Sequence, residues 1–117
     1  MNHGIHVAIS SDILPIGPMV GIYAAVTRKG MSGRVFAAEE ALTVMEALQG
    51  YTLYGAYLSF EEGRKGSIEA GKLADMIVLD RDILTIDPAH IMDIQVDQTW
   101  LGGKLVYENA SAGTIGR

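Results

Sequence analysis

The sequence contains no cysteine. That excludes a disulfide scaffold and any metal site built on thiolates, and it is compatible with a reducing compartment. No apolar run approaches the ~18 residues that cross a bilayer as a helix, so a membrane partner is not expected. The opening Met-Asn-His-Gly-Ile-His lacks the charged and apolar stretches of a signal peptide, and a cytoplasmic protein is expected. Basic residues are few: nine Lys and Arg stand against fourteen Asp and Glu, for a net charge of −5. With no basic cluster, a nucleic acid held through its phosphates is not expected either. Internal repeats and low-complexity blocks are absent from the sequence. What remains is a chain of 117 residues, 49% apolar and 20% charged, the profile of one ordinary globular domain rather than a disordered segment.

Periodicity divides the chain in two. Ile5, Val7 and Ile9 alternate with His6 and Ala8, which predicts a short buried strand closed by Ser10-Ser11-Asp12. After a loop with two prolines, Pro18 suits the first position of a helix carrying Met19, Ile22, Tyr23 and Val26 on one side. It should span Pro18–Arg28 and end near Lys29-Gly30. Glu39 to Ser59 is helical in character, with capping-box spacing at Thr43 and Glu46. Gly50 to Thr52 should split it, with Thr52 capping the second helix and Leu53, Ala56 and Tyr57 facing inward. Gly63 to Gly71 reads as a loop. From there the period falls to two. Ala74–Leu79 is a predicted strand, Ile94, Val96 and Trp100 share a face of another, and Gly102-Gly103 fits a two-residue hairpin turn. That turn sets Trp100 opposite Leu105 and Gln98 opposite Tyr107, and predicts one buried face containing Ile77, Val96, Trp100 and Leu105. The helices should form a separate layer, and residues 110–117 a flexible tail.

Few residues carry chemistry. Asp12 follows a predicted strand, where barrel enzymes hold catalytic carboxylates, although a turn-capping role uses the same residue type. Arg28 can hold an anionic substrate group with its planar fork, or simply complement a helix C-terminus. His3 and His6 fall on opposite faces of a strand and cannot jointly clasp a metal, and His90 beside Pro88 reads as a loop residue. Tyr51, Tyr54 and Tyr57 stand at helical spacing and read as packing. Gly66 to Lys72 lacks the spacing of a phosphate loop and follows a helix rather than a strand.

The run Gly66-Ser67-Ile68-Glu69-Ala70-Gly71-Lys72-Leu73-Ala74-Asp75-Met76-Ile77-Val78-Leu79-Asp80 closely resembles the C-terminal signature of metal-dependent amidohydrolases. Ser11-Asp12, Ala25-Val26-Thr27-Arg28, Glu46-Ala47-Leu48 and Tyr51-Thr52 resemble one branch, amidohydrolase family 3 or the YtcJ-like group. Thr99-Trp100-Leu101-Gly102-Gly103-Lys104 matches its closing hairpin. The resemblance implies an α/β fragment: the last strand and helices of a (β/α)8 barrel in residues 1–62, followed by C-terminal strands of a small β-sandwich in 63–109.

The family's His-x-His pair, its lysine or glutamate on the fourth strand and its later histidines have no counterpart here. The resemblance carries over only the eighth-strand aspartate, Asp12, which in the complete enzyme contacts the metal and takes a proton from the metal-bound water. It implies a hydrolase of non-peptide C–N bonds using a divalent metal, with zinc expected. The isolated chain should hold no metal and be inactive. A non-enzymatic, self-associating α/β module is the alternative. In either case a homodimer is expected, because a detached barrel strand at Ile5–Ile9 would leave backbone groups unpaired.

Overall fold

Proline has no amide hydrogen to lose and a φ already close to helical, which places Pro18 at the start of α1 (Pro18–Thr27). The computed structural model describes residues 4–10 and 17–110. In it α1 closes at Arg28, next to the expected Lys29-Gly30: Arg28 is left-handed, with φ 57°, and its amide donates to the Ala24 carbonyl at 2.8 Å. The tertiary reason is a tight hairpin that starts at once. Lys29 pairs with Val35, and Gly30 both donates to Arg34 and accepts from Gly33. Gly30 therefore serves the hairpin instead of the helix.

A short 3-10 turn (Ala38–Glu40) leads to α2 (Val44–Tyr51). The expected capping box is complete: the Glu46 amide donates to Thr43 Oγ1 at 3.1 Å, and the Thr43 amide donates to Glu46 Oε1 at 3.0 Å. The chain breaks at Thr52 before α3 (Leu53–Leu58), but Thr52 does not cap α3. Its hydroxyl turns back to donate to the Leu48 carbonyl at 2.7 Å, satisfying an acceptor at the end of α2.

Beyond a turn-rich stretch, β1 (Met76–Leu79), β2 (Val96–Leu101) and β3 (Lys104–Glu108) form an antiparallel sheet in the order β1-β2-β3. Ala74 and Asp75, expected as part of the first strand, instead secure the hairpin turn. The Ala74 carbonyl accepts from the Gly103 amide at 3.0 Å and Asp75 Oδ1 from the Gly102 amide at 2.8 Å. Trp100 pairs with Leu105 as predicted, whereas Gln98 faces Glu108 rather than Tyr107. Neighbouring Thr99 and Trp100 oppose Tyr107 and Leu105, so Val106 is an extra residue that bulges β3 and shifts the register.

The core does not lie on the sheet. Ile22 of α1 and Ala47 of α2 are buried against Ile83, Ile91 and Ile94, with a second 3-10 helix (Pro88–Asp93) laid along α1. The expected buried face fails in part: Ile77 is 49% and Leu105 37% exposed, while Val96 and Trp100 are half-buried. Three strands with no second sheet against them among the described residues leave apolar side chains in water. The segment Ile5–Ile9 is likewise not a buried strand. Ile5 is 65% and Val7 48% exposed, and no strand lies beside them among the described residues. Alternating apolar residues become a strand only where a ladder can take up their backbone groups. Here the Ile9 amide donates to the Gly50 carbonyl of α2, at 2.9 Å.

Candidate functional site

Asp12 and His3 lie outside the described residues, but the segment leading to Asp12 is anchored by identifiable contacts. Gly50 brings the α2 backbone so close that a Cβ there would stand 2.9 Å from Ile9 Cδ1. Further along the same segment, His6 stacks on Tyr54 with ring centroids 4.6 Å apart and planes 10° apart. Tyr57 meets it edge-on at 4.7 Å. Tyr51 turns the other way, onto α1, where only Gly21 leaves room for its hydroxyl. Tyr51 and Tyr54 thus pack, as their spacing predicted, whereas Tyr57, expected to face inward, is 46% exposed and touches the histidine only with its ring edge-on. The i, i+3 spacing of Tyr54 and Tyr57 was the available signal for that pair; the partner, 48 residues earlier than Tyr54 in the chain, gave none.

Arg28 and Phe36 are clasped in both directions. The Phe36 amide donates to the Arg28 carbonyl at 2.9 Å, and Arg28 Nε donates to the Phe36 carbonyl at 3.1 Å. One end of the guanidinium lies 3.8 Å from the Glu40 carboxylate. Arg34 covers the Phe36 ring from 5.0 Å, within cation–π range. Arg28 accordingly joins the end of α1, the hairpin and the following 3-10 turn. His90, expected in a loop, sits in the second 3-10 helix with Nδ1 3.2 Å from Asp93 Oδ2.

Inside the signature run, Ser67, Glu69 and Lys72 form a closed polar group. Lys72 Nζ donates to Ser67 Oγ at 2.7 Å and pairs with Glu69 at 2.9 Å, and the Ser67 hydroxyl donates to Glu69. The Lys72 ammonium, helped by Ser67, holds the Glu69 carboxyl below the usual carboxylate range. An ammonium donating to both oxygens has no lone pair to take the serine proton, so this group is a clasp and not a nucleophile with its base. The adjoining pocket measures about 80 Å³. That is room for a few waters, well short of the ~300 Å³ at which ligand pockets begin.

The amidohydrolase family model matches residues 1–107. This chain belongs to the amidohydrolase family. It is 36% identical over 115 residues to an N-substituted formamide deformylase of Arthrobacter pascens, a match covering 96% of this chain and 21% of that protein. It is equally similar to a Bacillus subtilis protein assigned as the amidohydrolase YtcJ, covering 94% of this chain and 22% of the other. A solved amidohydrolase of Thermotoga maritima MSB8 shares the fold over 79% of this chain and 19% of its own, with a TM-score of 0.51 at 24% identity. The amidohydrolase chain described here thus spans about a fifth of the length of the curated relatives it matches. Within it, Ala74-Asp75 of the signature and Gly102-Gly103 of the closing hairpin are hydrogen-bonded to each other.

Proposed function

We propose that this chain is the C-terminal part of a metal-dependent hydrolase acting on non-peptide C–N bonds. In the complete enzyme residues 1–62 would supply the eighth strand and following helices of its barrel, with Ile5–Ile9 becoming a strand only where neighbouring barrel strands pair with it, and 63–109 strands of its β-sandwich. The observation that carries the reading is similarity along nearly the whole chain to an N-substituted formamide deformylase. In this reading the division at 62/63 separates barrel from sandwich segments while packing crosses it, since Ile83, Ile91 and Ile94 close over Ile22 and Ala47.

Among the described residues no group of three or more His, Cys, Asp or Glu is placed to hold a metal ion. The described donors therefore do not make a site for the divalent metal, zinc in this reading, whose ligands other than Asp12 would come from the rest of the enzyme. This chain's own contribution is Asp12, a carboxylate suited to accept a proton during hydrolysis, and the isolated chain is inactive. Arg28 contributes either to substrate binding or, through Phe36 and Glu40, to the shape of the loop after α1.

The test is a chimera in which this chain replaces the C-terminal part of the Arthrobacter deformylase, assayed on an N-substituted formamide. Hydrolysis should persist, and Asp12→Asn should lower kcat by roughly 10²–10⁴-fold, the usual worth of a general acid or base. Arg28→Ala should raise KM if the guanidinium holds substrate, and lower only the melting temperature if it shapes the loop. A folded chimera without activity, or one indifferent to Asp12→Asn, would overturn the proposal.

A further inference from the structure

We infer that Phe60 is a docking anchor, held ready for an apolar pocket on the part of the enzyme that this chain lacks. The inference rests on the reading of this chain as part of a larger enzyme, not on the reaction assigned to it. Three non-glycine residues among those described take a left-handed backbone: Arg28, Ala37 and Phe60. That conformation is costly for a bulky side chain and persists where the surroundings impose it. At Arg28 it serves contacts within the chain, since the guanidinium reaches the Phe36 carbonyl and Glu40. Ala37 has only a methyl group to place. Phe60, with φ 60°, has no such return: its ring is 93% exposed, and Leu58, two residues earlier, is 62% exposed.

The turn that carries the ring is fixed on both sides. α3 closes with the two hydrogen bonds of a Schellman motif. The Glu61 amide donates to the Ala56 carbonyl at 2.8 Å, and the Phe60 amide to the Tyr57 carbonyl at 3.1 Å. Glycine is the usual residue at the left-handed position of that motif. Downstream, the Glu61 carbonyl accepts from the Arg64 and Lys65 amides at 2.9 and 3.1 Å. Its carboxylate lies 3.3 Å from Lys65 Nζ and 3.5 Å from Arg64. A glycine at position 60 would relax the backbone and remove an apolar ring from water, so Phe60 is unfavourable twice over in the isolated chain. A large ring on a turn already immobilised has little freedom left to lose on binding, which is what an interface anchor requires.

The remainder of the enzyme is the occupant that fits. The chain spans about a fifth of the length of its curated relatives, so most of the surface of such an enzyme lies outside it. A second copy is less well suited. The pocket this chain offers beside Lys72 measures about 80 Å³. A cavity that takes up a benzene ring measures roughly 150 Å³.

Two substitutions separate the ring from the backbone. Phe60→Ala removes the ring and keeps a Cβ in the left-handed conformation, whereas Phe60→Gly removes both. In the isolated full chain Phe60→Ala should leave the melting temperature within about 2 °C, and Phe60→Gly should raise it by about 3–6 °C. In the chimera with the Arthrobacter deformylase, Phe60→Ala should lower it by about 5 °C or more, as for loss of a buried ring. Phe60→Gly should lower it too, so that one substitution acts with opposite signs in the two settings. Melting is read separately from turnover. A folded chimera with this pattern but no hydrolysis would overturn the assigned reaction and support the anchor. Sedimentation velocity on the isolated chain tests the second copy as occupant. A chimera that does not fold or is indifferent to Phe60→Ala, an isolated chain destabilised by either substitution, or isolated chains that associate and separate on Phe60→Ala would each overturn the inference.

Discussion

One added methyl group meets three different receptions at Gly55, Gly71 and Gly66. Gly55 lies in α3, where a Cβ would have nothing within 4 Å. Gly71 also has open space, but its φ of +90° is one that L side chains rarely adopt. Gly66 combines a φ of +96° with crowding: a Cβ would stand 2.8 Å from Ala56 Cβ, 3.0 Å from Leu53 Cα and 3.2 Å from the Thr52 carbonyl oxygen. The neighbours of Gly66 are backbone and the short side chain of a helix, so none can swing aside. Gly55→Ala should therefore stabilise by about 0.5–1 kcal/mol through helix propensity. Gly71→Ala should cost about 1–3 kcal/mol from backbone strain alone. Gly66→Ala adds overpacking of similar size, for a total of about 4 kcal/mol. Thermal melts convert these at roughly 3–6 °C per kcal/mol for a chain of this length. The expected order is a small rise, a moderate fall and a fall of about 15 °C or more. If Gly66→Ala and Gly71→Ala melt together, the close approach of residue 66 to α3 carries no energy and the packing argument is wrong.

Ile91 is fully buried between α1 and the segment that carries it, so Ile91→Ala should lose about 2–5 kcal/mol in urea denaturation. Asp75→Ala removes the acceptor of the Gly102 amide, and hydrogen exchange at Gly102 should accelerate by about an order of magnitude, as for one net hydrogen bond. The folded state holds three carboxyls below their ordinary value of 4.5: Glu46 through the Thr43 amide, Glu61 through Lys65, and Glu69 through Lys72. A folded pKa below the unfolded one stabilises at higher pH and loses that contribution as pH falls through the folded value. The urea midpoint should therefore drop as pH falls below about 4.5, and Lys72→Met should flatten the part due to Glu69. A midpoint that rises on acidification would contradict all three assignments.

What could be read from the sequence was what depends on near neighbours. The Thr43–Glu46 box closes within one helical turn, and a glycine pair brings Trp100 onto Leu105 whatever surrounds it. The failures were decided at a distance. Ile5–Ile9 alternates like a strand, yet alternation cannot supply a ladder partner. The register at Gln98 turned on whether Val106 would bulge, since Gln98 against Tyr107 or against Glu108 leaves the turn unchanged. Ile94 alternates with Val96 as a strand residue would, yet it precedes β2 and joins Ile83 and Ile91 over α1 and α2, and nothing local marked the three as that cover. At the site, the signature and the closing hairpin were legible as separate motifs. Their hydrogen bonds to each other, and the stacking of His6 on Tyr54, were not.

That cover imposes an order on synthesis. A ribosome adds residues from the N-terminus at about 5–20 per second, and a segment can fold only with partners already made. Ile22 and Ala47 are complete while Ile83, Ile91 and Ile94 are still to come. Until then Ile22 and Ala47 lack the cover that Ile83, Ile91 and Ile94 give them in the folded chain. Closure of this part of the core is therefore timed by translation itself, and it waits for the stretch around Pro88 to arrive.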